Sequence, residues 1–461
     1  MVPGVPKARE TGFAEVPVCV NFPLLMKRRL IYGLVIAVLL LNLVIGARIY
    51  LSSANAEEQK DSVYPNLELF ANVLEKVRTE YVDGQKLTYH DLVYDALKGM
   101  IDALDPHSEF MDPEEYQELQ SDTEGAFGGL GLVVSMKDNY VTVVTPMDDT
   151  PGFRAGILAG DRIIKINGKG ADKLSLQDAV KELRGEPGTQ VTVTVQRPST
   201  GITRDLTMTR AIINVDMVKD VNGKKEFPLG PDQIGYIRIT QFGDNTSDEL
   251  EDALNKLKAQ GMKALILDLR GNPGGLLDEA VGVCSKFLPH GQLVVTTEGR
   301  DPDQNSTRRA DGHGDELKGM PVVVLVNLGS ASASEIVTGC LQDLHRGIVL
   351  GEKTFGKGSV QSIFPLDDGS ALKLTTAKYY TPSHRVIHQH GITPDVVVSM
   401  TDEEEAALIF MRSPGGLYAL TPEERARVEN IRDVQMDRAE DLLKGILLYS
   451  QFAKAEKVAV K

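Results

Sequence analysis

Apolar residues recur three or four positions apart between residues 64 and 120. This spacing is typical of amphipathic helices. It predicts one helix around residues 67–77 and a second around 92–104, which Asp105-Pro106-His107-Ser108 ends. Asp112-Pro113 predicts the start of a third, short helix, because proline favours the first helical position.

Short β-rich runs replace this pattern from residue 125 onward. Glycines and polar turns separate the predicted strands Leu132–Met136, Val141–Val144, Asp161–Ile166, Val191–Val195 and Asp205–Met208. One predicted helix, from Ser175 to Leu183, interrupts them. Residues 125–210 therefore form a small β-rich domain.

Strands and helices alternate through residues 211–400. The predicted strands are Ile234–Arg238, Ala264–Leu269, Pro321–Val326 and Gly347–Leu350. The predicted helices are Asp248–Gln260, Leu277–Phe287 and Ala333–Leu344. Such alternation indicates an α/β core with mostly buried strands.

Residues 401–461 return to a helical pattern. Thr401–Glu404 and Thr421–Glu424 both read as capping boxes, which predict helix starts. An apolar stripe follows at Leu442, Leu443, Ile446, Leu447 and Phe452. Core packing and a dimer contact would each explain that stripe.

The 461-residue chain has ordinary globular composition and a net charge of −15. Because an acidic chain repels phosphate, this charge disfavours a nucleic-acid partner. We predict a multidomain α+β protein. Its segments are an N-terminal extension (1–56), a helical region (57–124), the β-rich domain (125–210), the α/β core (211–400) and a helical C-terminal region (401–461).

The charge is unevenly distributed, with +4 on residues 1–56 and −19 on the remainder. Lys27-Arg28-Arg29 precedes Leu30–Ala47, which contains no charged residue. As a helix this stretch would be roughly 27 Å long, enough to cross a bilayer core. The basic cluster then places the body of the protein on the far side of the membrane.

Two fates of this segment stay open, a cleaved signal peptide and a retained anchor. Ala54-Asn55-Ala56 fits a cleavage site, but it lies well beyond the apolar stretch, with Arg48 between them. Met26 directly precedes the basic cluster, so Met1 and Met26 both stay open as the start. The chain has three cysteines, and Cys284 and Cys340 stand in apolar contexts without a Cys-x-x-Cys pair. They predict buried thiols and no disulfide framework.

The densest cluster of small residues, Asn327–Glu335, follows a predicted strand and opens a predicted helix. A serine there lies beside unpaired backbone N–H groups, which can bind an oxyanion. The arrangement suits a serine nucleophile, although a serine-rich helix N-cap has the same pattern.

A serine nucleophile needs a base. A Ser-His-Asp triad is disfavoured, because Ser334 stands where Gly-x-Ser-x-Gly requires its second glycine. A lysine in Gly351–Gln361, after the next predicted strand, is the alternative. It would act only when neutral, so local burial must lower its pKa against the field of the acidic body.

Two further glycine-rich patterns need weighing. Gly351–Lys357 is one residue short of a Walker A motif, but Gly358 stands at the Mg²⁺-binding position and a strand follows, which disfavours an NTPase. Asp268–Gly275 ends a buried strand in a glycine turn that can present N–H groups to an anion. A plain strand-to-helix turn is the alternative for that stretch.

Four stretches, taken in order, resemble the C-terminal processing peptidases, also called tail-specific proteases. They are Leu104–Ser108, Asp268–Gly275, Ser330–Glu335 and Thr354–Gln361. The resemblance runs over about residues 64–455. It implies a crotonase-like ββα catalytic core and a serine endopeptidase that needs no metal or nucleotide cofactor.

The resemblance also implies roles for particular residues. The family uses a Ser/Lys dyad, so Ser332 would be the nucleophile, Lys357 the base, and Gln361 the residue that orients Lys357. The N–H of Ala333 and an N–H of the Gly274-Gly275 turn would form the oxyanion hole.

Asp343 stands where some descriptions of the family place a third charge-relay residue. A structural ion pair with Arg346 is the use of Asp343 that we favour. This chain departs from the family at Thr381–Arg385, where His384 replaces glycine. His384, His388 and His390 have irregular spacing and no evident acidic partner, so we favour structural roles over a metal site.

The β-rich segment resembles the PDZ domain of the family. Gly129, Leu130, Gly131 and Leu132 would form its carboxylate-binding loop, with the substrate C-terminus added as a strand. Binding would select apolar tails with a free carboxylate. Arg184 is a candidate relay between this domain and the active site.

The expected function is an endopeptidase of the bacterial cell envelope, on the periplasmic or extracytoplasmic face. It would trim protein substrates with exposed apolar C-termini. An adaptor or activating partner, contact with the membrane through the N-terminal segment, and a homodimer are all compatible with the sequence. The alternative is a non-catalytic PDZ scaffold with a degenerate protease core.

Overall fold

A computed structural model describes residues 32–48, 62–137, 139–147, 150–158, 160–198, 200–312, 317–412, 417 and 420–459. The basic cluster, both candidate start residues and the candidate cleavage site lie outside the described residues. The chain divides into two compact units, Met1–Asp95 and Ala96–Lys461.

The first unit is helical where it is described, as predicted. Helix α1 covers residues 32–48, α2 is Val63–Glu80 and α3, Tyr89–Asp102, continues into the second unit. Within the described ranges, no helix combines the length and hydropathy that crossing a membrane requires.

The second unit begins with β1 (Glu109–Met111) and α4 (Pro113–Glu124). The predicted start of α4 is confirmed, and the structure adds a capping box there. The Asp112 carboxylate accepts the backbone N–H groups of Glu114 and Glu115, and the Glu115 carboxylate accepts the Asp112 N–H.

A small antiparallel domain follows, confirming the predicted β-rich region. Its strands are β2 (Ala126–Gly129), β3 (Leu132–Lys137), β4 (Tyr140–Pro146), β5 (Arg162–Ile166), β6 (Lys169–Gly170), β7 (Gln190–Arg197), β8 (Ile202–Thr209) and β9 (Ala211–Asn214). Its helices are α5 (Pro151–Arg154) and α6 (Leu176–Leu183). The main sheet has the order β3-β4-β5-β7-β8, with β6 on β5, so β3 is at its edge as described.

The core of the second unit holds a six-stranded sheet of order β10-β11-β12-β15-β16-β19. All of its pairings are parallel except that of β10. The strands are β10 (Val218–Lys219), β11 (Ile234–Ile239), β12 (Ala264–Asp268), β15 (Val322–Val326), β16 (Ile348–Gly351) and β19 (Val396–Val397). The predicted alternation of strands and helices is therefore confirmed.

A second sheet of the core was not predicted in full. Its strands are β13 (Leu293–Gly299), β14 (Ser306–Arg309), β17 (Ser359–Pro365) and β18 (Ala371–Tyr380). β1 completes the sheet by pairing with β18. Only β17 was predicted from its sequence. β18 joins β1, β13 and β17, so chain segments far apart in sequence meet on it.

Helices cover both faces of the parallel sheet. On one face lie α7 (Thr246–Ala259), α8 (Leu277–Ser285) and α9 (Ala333–Asp343), whose buried residues pack with Leu265 and Leu267. The intervening residues Ala264 and Ile266 pack on the other face with Leu443. This alternation along one strand is what a sheet buried on both sides requires.

The C-terminal region is helical, as predicted. It consists of α10 (Asp402–Arg412), α11 (Pro422–Glu429) and α12 (Val434–Ala459). The capping boxes at Thr401 and Thr421 are confirmed. In the apolar stripe of α12, Leu443 is fully buried in the core, whereas Phe452 is exposed.

A buried ionic network ties this C-terminal region to the end of β12. The Arg270 guanidinium bonds the Asp268 carboxylate at 2.7 Å, the Asp433 carboxylate at 2.8 Å and the Gln435 amide oxygen at 3.0 Å. The Tyr236 hydroxyl donates to Asp268 at 2.7 Å. Every charge in this network has a partner. The network therefore holds in place the end of β12, from which the glycine loop Gly271–Gly275 continues.

Candidate active site

Three loops leave the carboxyl ends of neighbouring parallel strands. They follow β12, β15 and β16, whose last residues pair in register. Parallel strands end at one edge of their sheet, so these loops converge there. They carry the three motifs Asp268–Gly275, Ser330–Glu335 and Thr354–Gln361.

Ser332 occupies an unusual backbone conformation at the start of α9. Its φ of 54° and ψ of −116° are rare for a residue with a side chain and cost about 1–3 kcal/mol. Neighbouring bonds hold it there: the Asn272 carbonyl oxygen accepts the Ala331 N–H at 3.0 Å and the Ser334 hydroxyl at 2.9 Å. Ser334 is thus a structural residue, while Ser332 faces the cavity described below.

The Glu335 carboxylate connects the serine loop to the lysine loop. It is fully buried. One oxygen accepts the N–H groups of Ser332 at 3.0 Å and Lys357 at 2.9 Å. The other accepts the Gly356 N–H at 2.8 Å and the Thr354 hydroxyl at 2.5 Å. Burial raises the pKa of Glu335, and these hydrogen bonds oppose that shift.

Lys357 and Ser332 line one cavity of about 320 Å³. Lys357 is half-buried. Burial is the main reason that its pKa is lowered; the positive charge of Lys373 adds to the shift and the Asp105 carboxylate opposes it. Local burial therefore outweighs the acidic surroundings, as a lysine base requires.

The rest of the cavity wall is largely apolar. Its apolar residues include Leu119, Phe242, Leu276, Leu277, Ile336 and Val360. The polar groups Gln361 and Tyr379 lie among them. A site of this kind fits an apolar substrate side chain placed beside a few polar groups.

Gly274 lies against the predicted nucleophile, and Gly275 lies against the backbone of Phe242. A Cβ on Gly274 would stand 2.6 Å from the Ser332 Cβ, and a Cβ on Gly275 would meet the Phe242 carbonyl oxygen at 2.2 Å. The Gly274 N–H donates to the Asn272 side chain at 2.9 Å. Of the two glycines, Gly275 is therefore the better candidate for an oxyanion donor. Ala333 is the first residue of α9, where N–H groups lack intrahelical partners.

Gln361 lines the same cavity as Lys357. Its amide nitrogen donates to the Ser359 hydroxyl at 3.0 Å and to the Thr375 hydroxyl at 3.3 Å. These bonds fix the side chain on the β17–β18 pair. Its role in orienting Lys357 stays a prediction.

Tyr379 is a site residue that the sequence analysis missed. It is buried, and its hydroxyl donates to the Lys357 carbonyl oxygen. Burial raises the pKa of Tyr379 well above its usual range, and a hydrogen bond with the Ser332 side chain opposes this. The residue lies on β18, which the sequence did not predict, so no signal placed it here.

Asp343 lies away from this cavity, at the opposite end of α9 from Ser332. The carboxylate pairs with Arg385 and accepts the Ser383 N–H and hydroxyl. The expected partner, Arg346, was wrong: its guanidinium donates instead to three backbone carbonyls, those of Phe287, Leu317 and Met320. A helix of 11 residues is about 16 Å long, so the structure does not bring Asp343 to Ser332.

The three clustered histidines have different surroundings. His384 lies 3.0 Å from the Glu298 carboxylate, so the expectation of no acidic partner was wrong. The His390 ring bonds the His388 carbonyl oxygen, and the buried His388 Nδ1 has no hydrogen-bond partner among the described residues. In the part of the chain that the structure describes, no three ligating side chains are grouped as a metal site. Cys284 and Cys340 are buried, and within the described ranges neither forms a disulfide.

The predicted carboxylate-binding loop lies between β2 and the edge strand β3. Leu130 is buried in the core of the small domain. Gly131 has a φ of 67°, and a Cβ there would meet Thr150 at 2.3 Å. The loop is therefore held close against α5 and its preceding turn.

Arg184 follows α6 and contacts α4. Its guanidinium bonds the Asp122 carboxylate at 3.2 Å and lies 4.4 Å from the centre of the Phe127 ring. Leu119 and Thr123, also on α4, line the cavity that holds Ser332 and Lys357. Arg184 is thus connected to the cavity through α4, and its relay role stays a prediction.

Comparisons with known proteins agree with this architecture. The PDZ-domain model matches residues 142–197, and the model of peptidase family S41 matches residues 233–398. The carboxy-terminal-processing protease of Bartonella bacilliformis is 44% identical over 359 residues, which cover 76% of this chain and 79% of that protein. The carboxyl-terminal-processing protease of Synechocystis sp. is 35% identical over 372 residues, covering 80% and 81%.

Among solved structures, the photosystem II D1 C-terminal processing protease is 31% identical, with a TM-score of 0.42. The match covers 76% of this chain and 97% of that one. The identities to the two curated proteases span most of both sequences and include the peptidase and PDZ regions. The chain therefore belongs to peptidase family S41, as a carboxy-terminal-processing serine protease with a PDZ domain.

Proposed function

We propose that the protein cleaves polypeptides by acyl transfer through a Ser332–Lys357 dyad. One observation carries the proposal: Ser332 and Lys357 share one cavity, in which burial lowers the pKa of Lys357. The neutral amine takes the proton of the Ser332 hydroxyl as its oxygen attacks the scissile carbonyl. The protonated amine then gives that proton to the leaving amine of the substrate. Water hydrolyses the resulting ester.

The negative charge of the tetrahedral intermediate needs donors that are already in place. The N–H groups of Gly275 and Ala333 supply them in this proposal. Gly275 is held by the Phe242 backbone, and Ala333 by the helix that it begins. Ser332, Lys357 and both of these donor residues line the same cavity.

Covalent labelling tests the dyad and separates it from a non-catalytic PDZ scaffold. The full chain is incubated with a serine-reactive acylating probe, and the adduct is located by mass spectrometry. We expect the adduct on Ser332 and no adduct in Ser332→Ala. We also expect only the unsubstituted chain to cleave a model protein that carries an apolar tail. Binding of that tail without cleavage or adduct would favour the scaffold.

We infer that substrate tails bind along β3 of the PDZ domain. Three features support this: β3 is an edge strand, the Gly129–Leu132 loop precedes it, and α6 flanks it. A C-terminal tail added to β3 would pair its backbone with the strand, while loop N–H groups hold its carboxylate. Apolar residues of the domain core next to the loop favour an apolar tail.

Replacing Gly131 by alanine is expected to raise KM for a tailed substrate with little change in kcat. The new Cβ would meet Thr150 at 2.3 Å and force the loop away from α5. Gly168→Ala is the matched control, since Gly168 also has a positive φ but open space around its Cβ. Kinetics with one model substrate measure both variants. Equal KM changes would attribute the effect to backbone strain alone and contradict the proposed loop.

We also propose that the body of the protein works on the far side of a membrane, in the cell envelope. Lys27-Arg28-Arg29 followed by the uncharged Leu30–Ala47 supports this. N-terminal sequencing of the protein from a fractionated cell distinguishes a cleaved signal peptide from a retained anchor. Recovery of the intact chain from the cytoplasm would contradict export.

A further inference from the structure

The turn after α3 is bonded to β18, the strand that pairs with the Gln361 strand. The Asp105 carboxylate accepts the N–H groups of His107 at 2.8 Å and Ser108 at 3.0 Å, and the Ser108 hydroxyl at 2.7 Å. These bonds close the turn on itself. Ser108 is buried, and Asp105 is only partly exposed.

The same carboxylate reaches beyond its own turn to β18. The Thr375 hydroxyl donates to Asp105 at 3.2 Å, and the Ser108 hydroxyl accepts the Thr375 N–H at 3.0 Å. Thr375 is paired in register with Gln361 on β17, and the Gln361 amide nitrogen donates to the Thr375 hydroxyl at 3.3 Å. A continuous chain of hydrogen bonds therefore runs from Asp105 through Thr375 to Gln361.

The Asp105 carboxylate, held by the Thr375 hydroxyl on the strand that pairs with the Gln361 strand, also places a negative charge close to Lys357. It opposes the lowering of the Lys357 pKa that burial and Lys373 produce. Asp105 on the turn and Lys373 on β18 act on the charge of Lys357. The other titratable groups around it are His107 on the turn, Tyr379 on β18 and Glu335 on α9. The charge of His388 acts on His107. Lys373 is itself paired with Glu109 at 3.1 Å.

We propose that Asp105 and Thr375 are positioning residues of the active site. Thr375 transmits the placement of Asp105 to Gln361 and so fixes Gln361 in the cavity beside Lys357. Asp105 in addition provides the counter-charge of that lysine. A turn that served only to end α3 would need its own backbone bonds, and would not need the bonds to β18. The inference rests on the proposed dyad.

Thr375 provides a test of the hydrogen-bond chain that leaves every charge in place. Thr375→Val has nearly the same shape but neither accepts from Gln361 nor donates to Asp105. We expect kcat to fall about tenfold or more at unchanged KM, and Thr375→Ser to restore most of it. If Thr375→Val and Thr375→Ser both keep the unsubstituted kcat, Gln361 does not depend on this chain.

Asp105 provides a test of the counter-charge through the pH profile. Activity needs neutral Lys357, so kcat/KM rises with pH through the pKa of that lysine. Asp105→Asn removes a negative charge that favours the ammonium form, and its rising limb should move to lower pH. Lys373→Gln removes a positive charge and should move the limb to higher pH. Asp102→Asn, an exposed aspartate in the last turn of α3, is the control and should leave the limb in place.

These outcomes separate the inference from the dyad itself. Ser332→Ala is measured alongside, and activity in that variant would contradict the dyad whatever Asp105 does. If Ser332→Ala is inactive and Asp105→Asn leaves the limb unmoved, only the inference about Asp105 fails. A thermal unfolding curve for each variant excludes loss of fold as the cause.

Discussion

Replacing Lys357 by methionine is expected to lower kcat/KM at least about a thousandfold, because the hydroxyl of Ser332 then has no base. Methionine retains most of the length of the lysine stem and fills the same half-buried space. The fold should therefore survive, since the bonds that hold the loop come from the Lys357 backbone N–H and carbonyl oxygen. Cleavage of a model protein with an apolar tail, followed by mass spectrometry, measures the loss.

Lys357→Arg is the sharper companion to this variant. Arginine keeps the positive charge and the hydrogen-bonding capacity, but it does not give up its proton at any working pH. It should be as inactive as methionine. A variant with arginine that still cleaves would show that Lys357 acts as a fixed charge. In the unsubstituted enzyme, kcat/KM should rise with pH through the lowered pKa of Lys357.

Local sequence patterns predicted much of this site. The stretch Asn327–Glu335 was found because small residues follow a strand and open a helix, and the loop Gly351–Gln361 because it follows the next strand. The family resemblance then selected Ser332 and Lys357 within these stretches. Neighbouring parallel strands end at one edge, so two local patterns were enough to place both loops together. The capping boxes at Thr401 and Thr421 were visible for the same reason, since each lies within four residues.

The residues that the sequence missed depend on contacts between distant segments. Tyr379 and Thr375 lie on β18, whose partners come from residues 109–111, 296–299 and 359–365. No local periodicity reports such a set of pairings. The prediction that Asp343 pairs with Arg346 was wrong, because it assumed that residues close in sequence are also close in space. His345 has a φ of 51°, which turns the chain after α9 and carries Arg346 away.

Glu335 belongs to the serine motif Ser330–Glu335, but the sequence does not show that it binds the lysine loop. The sequence suggests only a helix-start residue that reaches back three positions. The structure adds three bonds to the lysine loop, from the Thr354 hydroxyl and the N–H groups of Gly356 and Lys357, over 19 to 22 residues of chain. Those contacts convert a local cap into the joint between the nucleophile and its base.

Glu335→Ala is accordingly expected to lower the free energy of unfolding by about 3 kcal/mol or more, because three buried N–H groups lose their acceptor. Activity should fall at least about a hundredfold as Ser332 and Lys357 lose their common support. The stability and the activity of Glu335→Gln should lie between those of Glu335→Ala and those of the unsubstituted protein. Its amide oxygen can accept only one of the two pairs of donors, and its amide nitrogen faces the other pair.

Glu424→Ala is the matched control for this prediction. Glu424 holds the same position in the capping box of α11, where it accepts the Thr421 N–H at 2.8 Å, but it lies in solvent. Its replacement should cost about 1 kcal/mol or less and leave activity unchanged. Denaturant unfolding and cleavage rates measure all three variants. Equal losses of stability in Glu335→Ala and Glu424→Ala, with cleavage retained in both, would show that Glu335 is a helix cap and nothing more.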